Sequence, residues 1–176
     1  FDDETTGESA PINRSLGSGP VSFINWMLPV QRLLIGTQDS ETSIRSTTLD
    51  EALTATNFNI KQASTQGSDR IAAVKLDSQG IFVQRSGLKA YVLKFELTAN
   101  DYQLGDLTIL APDIGTPGFV QIAVQRQPDT RIHFLRSDVT VAILLFDPAE
   151  YIKAWVNFTT GDADGTNGVV EDIFVM

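Results

Sequence analysis

The sequence predicts an all-β fold of β-propeller-type blades, each an antiparallel four-stranded meander of about 49 residues. Three observations lead there. The stretch Phe119–Val175 reads as four strands in a row followed by the opening of another. Similar openings stand at Val21 (VSFINWM), Ile71 (IAAVKL), Val120 and Val169 (VVEDIFV), which are 50, 49 and 49 residues apart. The second and third strands keep step with them: RLLIG, GIFVQ and RIHFL, then TSIR, AYVLKF and VAILLF. A β-sandwich also spaces its strands regularly, but it gives no reason for a sustained fifty-residue register.

Residues 1–20 are acidic at the start and rich in Gly, Ser and Pro, so they are expected to form an extended arm or linker. The first unit, 21–70, opens with a strand that Pro29 ends, followed by Leu33-Leu34-Ile35, a loop at 36–40 and a strand at Thr42–Ser46. Its remainder, 47–69, is sparse in apolar residues and predicts a weak outer strand or a long connection, with a turn at 66–69. The second unit, 71–119, has hairpins at Asp77-Ser78-Gln79-Gly80 and Arg85-Ser86-Gly87-Leu88, each with glycine where a reversal uses positive φ. Within it, GDLTILAPDI (105–114) breaks the strand pattern and predicts a short helical turn, limited by Pro112 and docked through Leu107, Ile109, Leu110 and Ile114. In the third unit, 120–168, Val120, Ile122 and Val124 alternate with polar or small residues, Gln127-Pro128-Asp129-Thr130 turns the chain, and 132–135 follows. The run TVAILLF (140–146) suits a strand covered on both faces, and Tyr151–Thr159 is the fourth strand. Residues 169–176 are expected to open a fourth unit. Three units and an opening strand fall short of the ~4–8 blades of a propeller, so the sequence is expected to be part of a longer polypeptide.

Composition narrows the classes. A net charge of −9 argues against a basic patch for the phosphate backbone, and the absence of cysteine excludes disulfides and thiolate metal sites. No apolar run approaches the ~18 residues of a membrane span, and no signal-peptide pattern opens the sequence. Asn13-Arg14-Ser15 fits a glycosylation sequon of a kind common by chance.

Candidate chemistry is thin. His133, the one histidine, lies close in sequence to Ser137 and Asp138, but it alternates with Ile132 and Phe134 along a strand and no G-x-S-x-G elbow is present. A histidine satisfied at a strand position is the expected reading. Asp162-Ala163-Asp164-Gly165-Thr166-Asn167-Gly168 concentrates oxygen ligands, yet its glycine falls fourth rather than sixth and Asp172 eleventh rather than twelfth, so a loop is expected in place of a calcium site. Asp2, Asp3, Glu4 and Glu8 offer carboxylates without a distinct pair for glycoside hydrolysis. No phosphate-cradling or dinucleotide motif occurs, and the aromatic residues fall mostly within strands. No catalytic residue, cofactor or metal is therefore expected.

The runs INWMLPVQRLLIGT, TNFNIKQASTQGS, AAVKLDSQGIFVQRSG, LTILAP and VQRQPDTRIHFLRSDVTVAILLFDPAEYIKAWVNFTT…GVVEDIFV resemble the tail nozzle proteins of short-tailed bacteriophages, also called tail tubular protein B-like or phage stabilisation-type proteins. The resemblance runs from about Asn13 onward. It is most specific from Gln125 to Trp155, where the family reads as a Q-x-P-D-T-R-[IV] turn, a strand, S-D-G-T, a strand, then D-x-x-x-x-x-x-A-W. Val139 stands where the family has glycine; a β-branched residue is costly at positive φ, so a different turn type is expected there. The resemblance implies a structural virion protein: propeller-bearing subunits in a ring, usually six-fold, below the adaptor and portal proteins. It also implies contact with tail fibres, assembly in the host cytoplasm, and a conduit that passes double-stranded DNA without reading its sequence. An acidic wall fits such a conduit, since it repels phosphate. A propeller adhesin or glycan-binding module of a virion is the alternative, but no loop rich in Trp or Tyr supplies its platform. A propeller hydrolase stands third.

Overall fold

The computed structural model describes residues 7–13, 16, 22–47, 51–161 and 167–175. It is an all-β protein of three separate four-stranded antiparallel sheets, each a meander in sequence order. Sheet 1 contains β1 (Ile24–Pro29), β2 (Leu33–Thr37), β3 (Glu41–Arg45) and β4 (Asn59–Ser64). Sheet 2 contains β5 (Val74–Leu76), β6 (Gln79–Val83), β7 (Ala90–Glu96) and β8 (Asp101–Asp106). Sheet 3 contains β9 (Phe119–Gln125), β10 (Arg131–Arg136), β11 (Val141–Asp147) and β12 (Ile152–Phe158). A two-residue ladder, β13 (Thr160–Gly161) with β14 (Asn167–Gly168), follows.

The sheets stack face to face, and two apolar clusters mark the two interfaces. Trp26, Leu28 and Leu34 of sheet 1 meet Phe82, Tyr91, Leu93 and Tyr102 of sheet 2. The opposite face of sheet 2, with Ile81, Val83, Ala90 and Val92, meets Ile122, Ile132, Phe134, Ala142, Leu144 and Phe146 of sheet 3. Successive residues of β6 therefore serve different cores: Ile81 and Val83 point one way and Phe82 the other, as a pleat of period two requires. Trp155 ties the third sheet on by donating its indole N–H to the Leu107 carbonyl at 2.8 Å, while its ring stacks on Phe119 and meets Phe134 at a tilt.

Several expectations are corrected. The strand covered on both faces lies in sheet 2. β11 buries Ala142, Leu144 and Phe146 against sheet 2; on its other face Val141 is buried, but Ile143 and Leu145 remain half-buried. Gly80 is no turn glycine. It lies inside β6, where a Cβ would stand 2.9 Å from Leu28 of the adjoining sheet, and Asp77 carries the positive φ of that hairpin. Gly87 does take a positive φ as expected. The pairing of β5 begins at Val74 rather than Ile71, and β9 begins at Phe119, one residue inside the expected second unit. The polar segment DYQLGD is β8; 101–104 are unassigned from sequence, and Gly105-Asp106, expected to break the strand pattern, complete the strand instead. After it comes a 3₁₀ helix, Pro112–Gly115, which buries Ile114; Pro112 opens this helix, where its missing N–H costs nothing.

The turn after Arg136 is the sharpest correction. Val139 adopts φ +61°, with its N–H on the Arg136 carbonyl and the Arg136 N–H on the Thr140 carbonyl. This is a three-residue loop whose last residue is left-handed, the geometry that glycine would supply, and not a different turn type. Finally, residues 169–175 form no strand, so the expected opening strand of a fourth unit is not seen as regular secondary structure.

Candidate functional site

The residues singled out for chemistry do not converge. His133 lies on β10, on the face of sheet 3 turned away from sheet 2, and its Nε2 is 3.0 Å from Gln125 Oε1. Burial, with the Arg131 charge next to it, pushes its pKa below the ordinary value. Ser137 and Asp138 stand in the β10–β11 loop. Asp138 Oδ1 accepts the Thr140 hydroxyl at 2.5 Å and the Thr140 N–H at 3.2 Å, which holds its carboxyl below the ordinary value. No hydrogen bond joins His133, Ser137 and Asp138 among the described residues, so the structure assembles no triad. The acid-rich loop considered for calcium lies outside the described residues at 162–166, as do Asp2, Asp3 and Glu4. Asp172 instead accepts from Gln121 Nε2 at 2.6 Å. No group of three or more metal-ligating side chains occurs among the described residues, nor is any helix long and apolar enough to cross a membrane.

What the fold does build is a repeated set of surfaces. The central hairpin of each sheet closes on one pair: Gly36 with Glu41, Val83 with Ala90, and Leu135 with Val141. In sheets 1 and 2 these residues and those two places away face the next sheet. Leu34 and Ser43 do so in the first, Ile81 and Val92 in the second. The same positions in sheet 3 are Leu135, His133, Val141 and Ile143; Leu135 and Val141 are already buried, and no further sheet is stacked there among the described residues. The outer strand of that face adds Ile152, Val156 and Phe158, with Val156 57% and Phe158 47% exposed. Isolated exposed apolar residues are ordinary, but a contiguous apolar sheet face marks an interaction surface.

The interface between sheets 1 and 2 also holds two buried carboxylates. Asp101 of β8 receives the Arg32 guanidinium at 2.9 Å, the Ser43 hydroxyl at 2.7 Å and the Lys61 ammonium at 3.2 Å. Burial pushes its pKa up, but the Ser43 hydroxyl, the Tyr102 N–H and Lys61 outweigh that and hold it below the ordinary value. Glu41 of β3 is fully buried and accepts the Ser68 hydroxyl at 2.7 Å. Here desolvation wins, and its pKa is raised. Neither group was singled out from sequence. Their only signal was a charged residue at a strand position whose neighbours are apolar or small, which solvated strand faces share. Asp101 joins the two sheets, and Glu41 ties β3 to the segment that leads into sheet 2. A groove of about 580 Å³ at the sheet 1 edge is lined by Arg32, Arg45 and Glu51 together with Pro29, Ile44 and Phe95. No family model and no curated protein matches the chain.

Proposed function

We propose that this chain is part of a structural subunit of the tail nozzle ring of a short-tailed phage, acting by assembly and carrying no active site. In this reading the three stacked sheets are successive blades of a β-propeller turned about a common axis. The observation that carries it is the uniform stacking: equivalent hairpin positions face the next sheet at both interfaces, in the order of the residue runs that resemble the nozzle family. The dispersal of His133, Ser137 and Asp138 supports a role without catalysis. The net charge of −9 supports passage of DNA over binding of it. Adjacent subunits of a permanent ring are expected to bury on the order of 2,000 Å² or more per interface. Electron microscopy of the purified full-length protein, alone and with its portal and adaptor proteins, tests the reading. A six-fold ring with an open centre is expected. A protein that stays monomeric beside those partners, or that cleaves a polysaccharide, would sink it.

A further inference from the structure

We infer that the outer face of sheet 3 is the seat of a fourth four-stranded sheet, with residues 169–175 in the position of its first strand and the rest supplied by the polypeptide that continues from Val175. The inference rests on the stacking part of the reading above and not on the DNA conduit. Three backbone bonds carry it. Ser68 N–H donates to the Thr37 carbonyl at 2.8 Å, Phe119 N–H to the Gly87 carbonyl at 2.8 Å, and Val170 N–H to the Val139 carbonyl at 3.0 Å. The donors lie 51 residues apart (68, 119, 170), and each acceptor lies at the β-hairpin of the sheet before. Ser68 is the residue bridged to Gln84 of sheet 2, and Phe119 is the first residue of β9. Val170 thus makes the bond by which the chain joins each new sheet.

A side-chain amide from a first strand also reaches the incoming segment at two of these joins, at positions that are not equivalent. Asn25, on the first strand of sheet 1, donates its side-chain amide to the Ser68 carbonyl at 2.6 Å. Gln121, on the first strand of sheet 3, grips Ile173 from both sides: its Nε2 donates to the Ile173 carbonyl at 2.9 Å and its Oε1 accepts the Ile173 N–H at 3.2 Å. The side-chain amide takes the place of a neighbouring peptide at Ile173, which has no strand partner. The one bond that does not repeat is informative. The Gly67 and Gly118 carbonyls each accept an N–H from the hairpin of their own sheet, from Arg85 at 3.0 Å and Ser137 at 2.8 Å. No hairpin among the described residues donates to their counterpart, Val169. A second copy of sheet 1 fits this seat poorly, because it would bring its own first strand, β1, to a place already taken by 169–175.

Residues 1–176 contain no cysteine, so a thiol introduced here adds one labelling site, and the parent polypeptide treated alongside gives the background. Val156→Cys places a thiol on the exposed face, and Leu97→Cys, at a position 85% exposed in the β7–β8 turn, is the reference. In the full-length polypeptide, the Val156→Cys thiol should react with a soluble maleimide at least ~10-fold more slowly than the reference, as a covered site does. That protection should be independent of protein concentration. Equal rates in the two variants would overturn the inference, and so would protection that disappears on dilution, which would assign the face to a second molecule. Equal rates would leave the ring reading untouched, so the two readings fail separately.

Discussion

Val139 shows how one residue is held against its own preference. A β-branched residue in the left-handed region costs roughly 1–2 kcal/mol, yet the Arg136–Thr140 loop needs that conformation to return the chain in register for β11. The flanking ladder pays this cost. Val139→Gly should raise stability by about 1 kcal/mol at most, since glycine's greater freedom in the unfolded chain offsets part of the relief. A higher urea midpoint with an unchanged slope is the expected result; a lower midpoint would mean that the Val139 side chain contributes more by packing than it costs by strain. Gly36 makes the converse point. A Cβ there would stand 2.1 Å from the Trp26 ring, so the indole occupies the space that a side chain would need.

At the level of elements, polar contacts join strands whose apolar pattern is weak. β8 has only Tyr102 and Leu104 as large apolar residues, and it was not legible in the sequence for that reason. What places its first residue is Asp101, gripped by Arg32, Ser43 and Lys61 of sheet 1. Arg32 also donates to the Asn100 carbonyl and lies 4.9 Å above the Phe95 ring. Removing one partner of a buried pair leaves a charge uncompensated, so Arg32→Ala should cost about 3 kcal/mol. Lys61 is half-exposed, and Lys61→Ala should cost less than about 1 kcal/mol. Equal losses in urea denaturation of the two variants would show that Arg32 is not the anchor. The same limit applies to β4, whose apolar residues are sparse, and to the segment 169–175, which a side chain holds in place of a ladder.

For the whole molecule, the two buried carboxylates pull stability in opposite directions with pH. Glu41 is raised by desolvation, so the folded state holds its proton more tightly than the unfolded chain does. Its contribution is fully present below the ordinary value of 4.5 and is lost as pH rises through the raised folded value. Asp101, Asp106 and Asp138 are lowered, so their contribution is present above 3.8 and is lost as pH falls through their folded values. Stability should therefore decline on both sides, and Glu41→Gln should remove the decline above 4.5 while leaving the acid limb in place. Thermal unfolding across this range is the measurement. A Glu41→Gln profile parallel to that of the parent would place the decline above 4.5 elsewhere.

The sequence by itself determined the strands that alternate cleanly, the spacing of the units near fifty residues, and most turns. Those features are written locally, in side-chain period and in residues that bend the backbone. Only the tertiary structure decided which face of each strand meets which neighbour. Phe82 and Ile81 are both apolar, and nothing local says that one serves the first interface and the other the second. It also decided that Gly80 yields space to Leu28, that Val139 accepts an unfavourable φ, and that Glu41 and Asp101 are buried between sheets. Each of these depends on atoms many residues away along the chain. Their energies come from burial and close approach across an interface, which the order of residues along one strand does not encode.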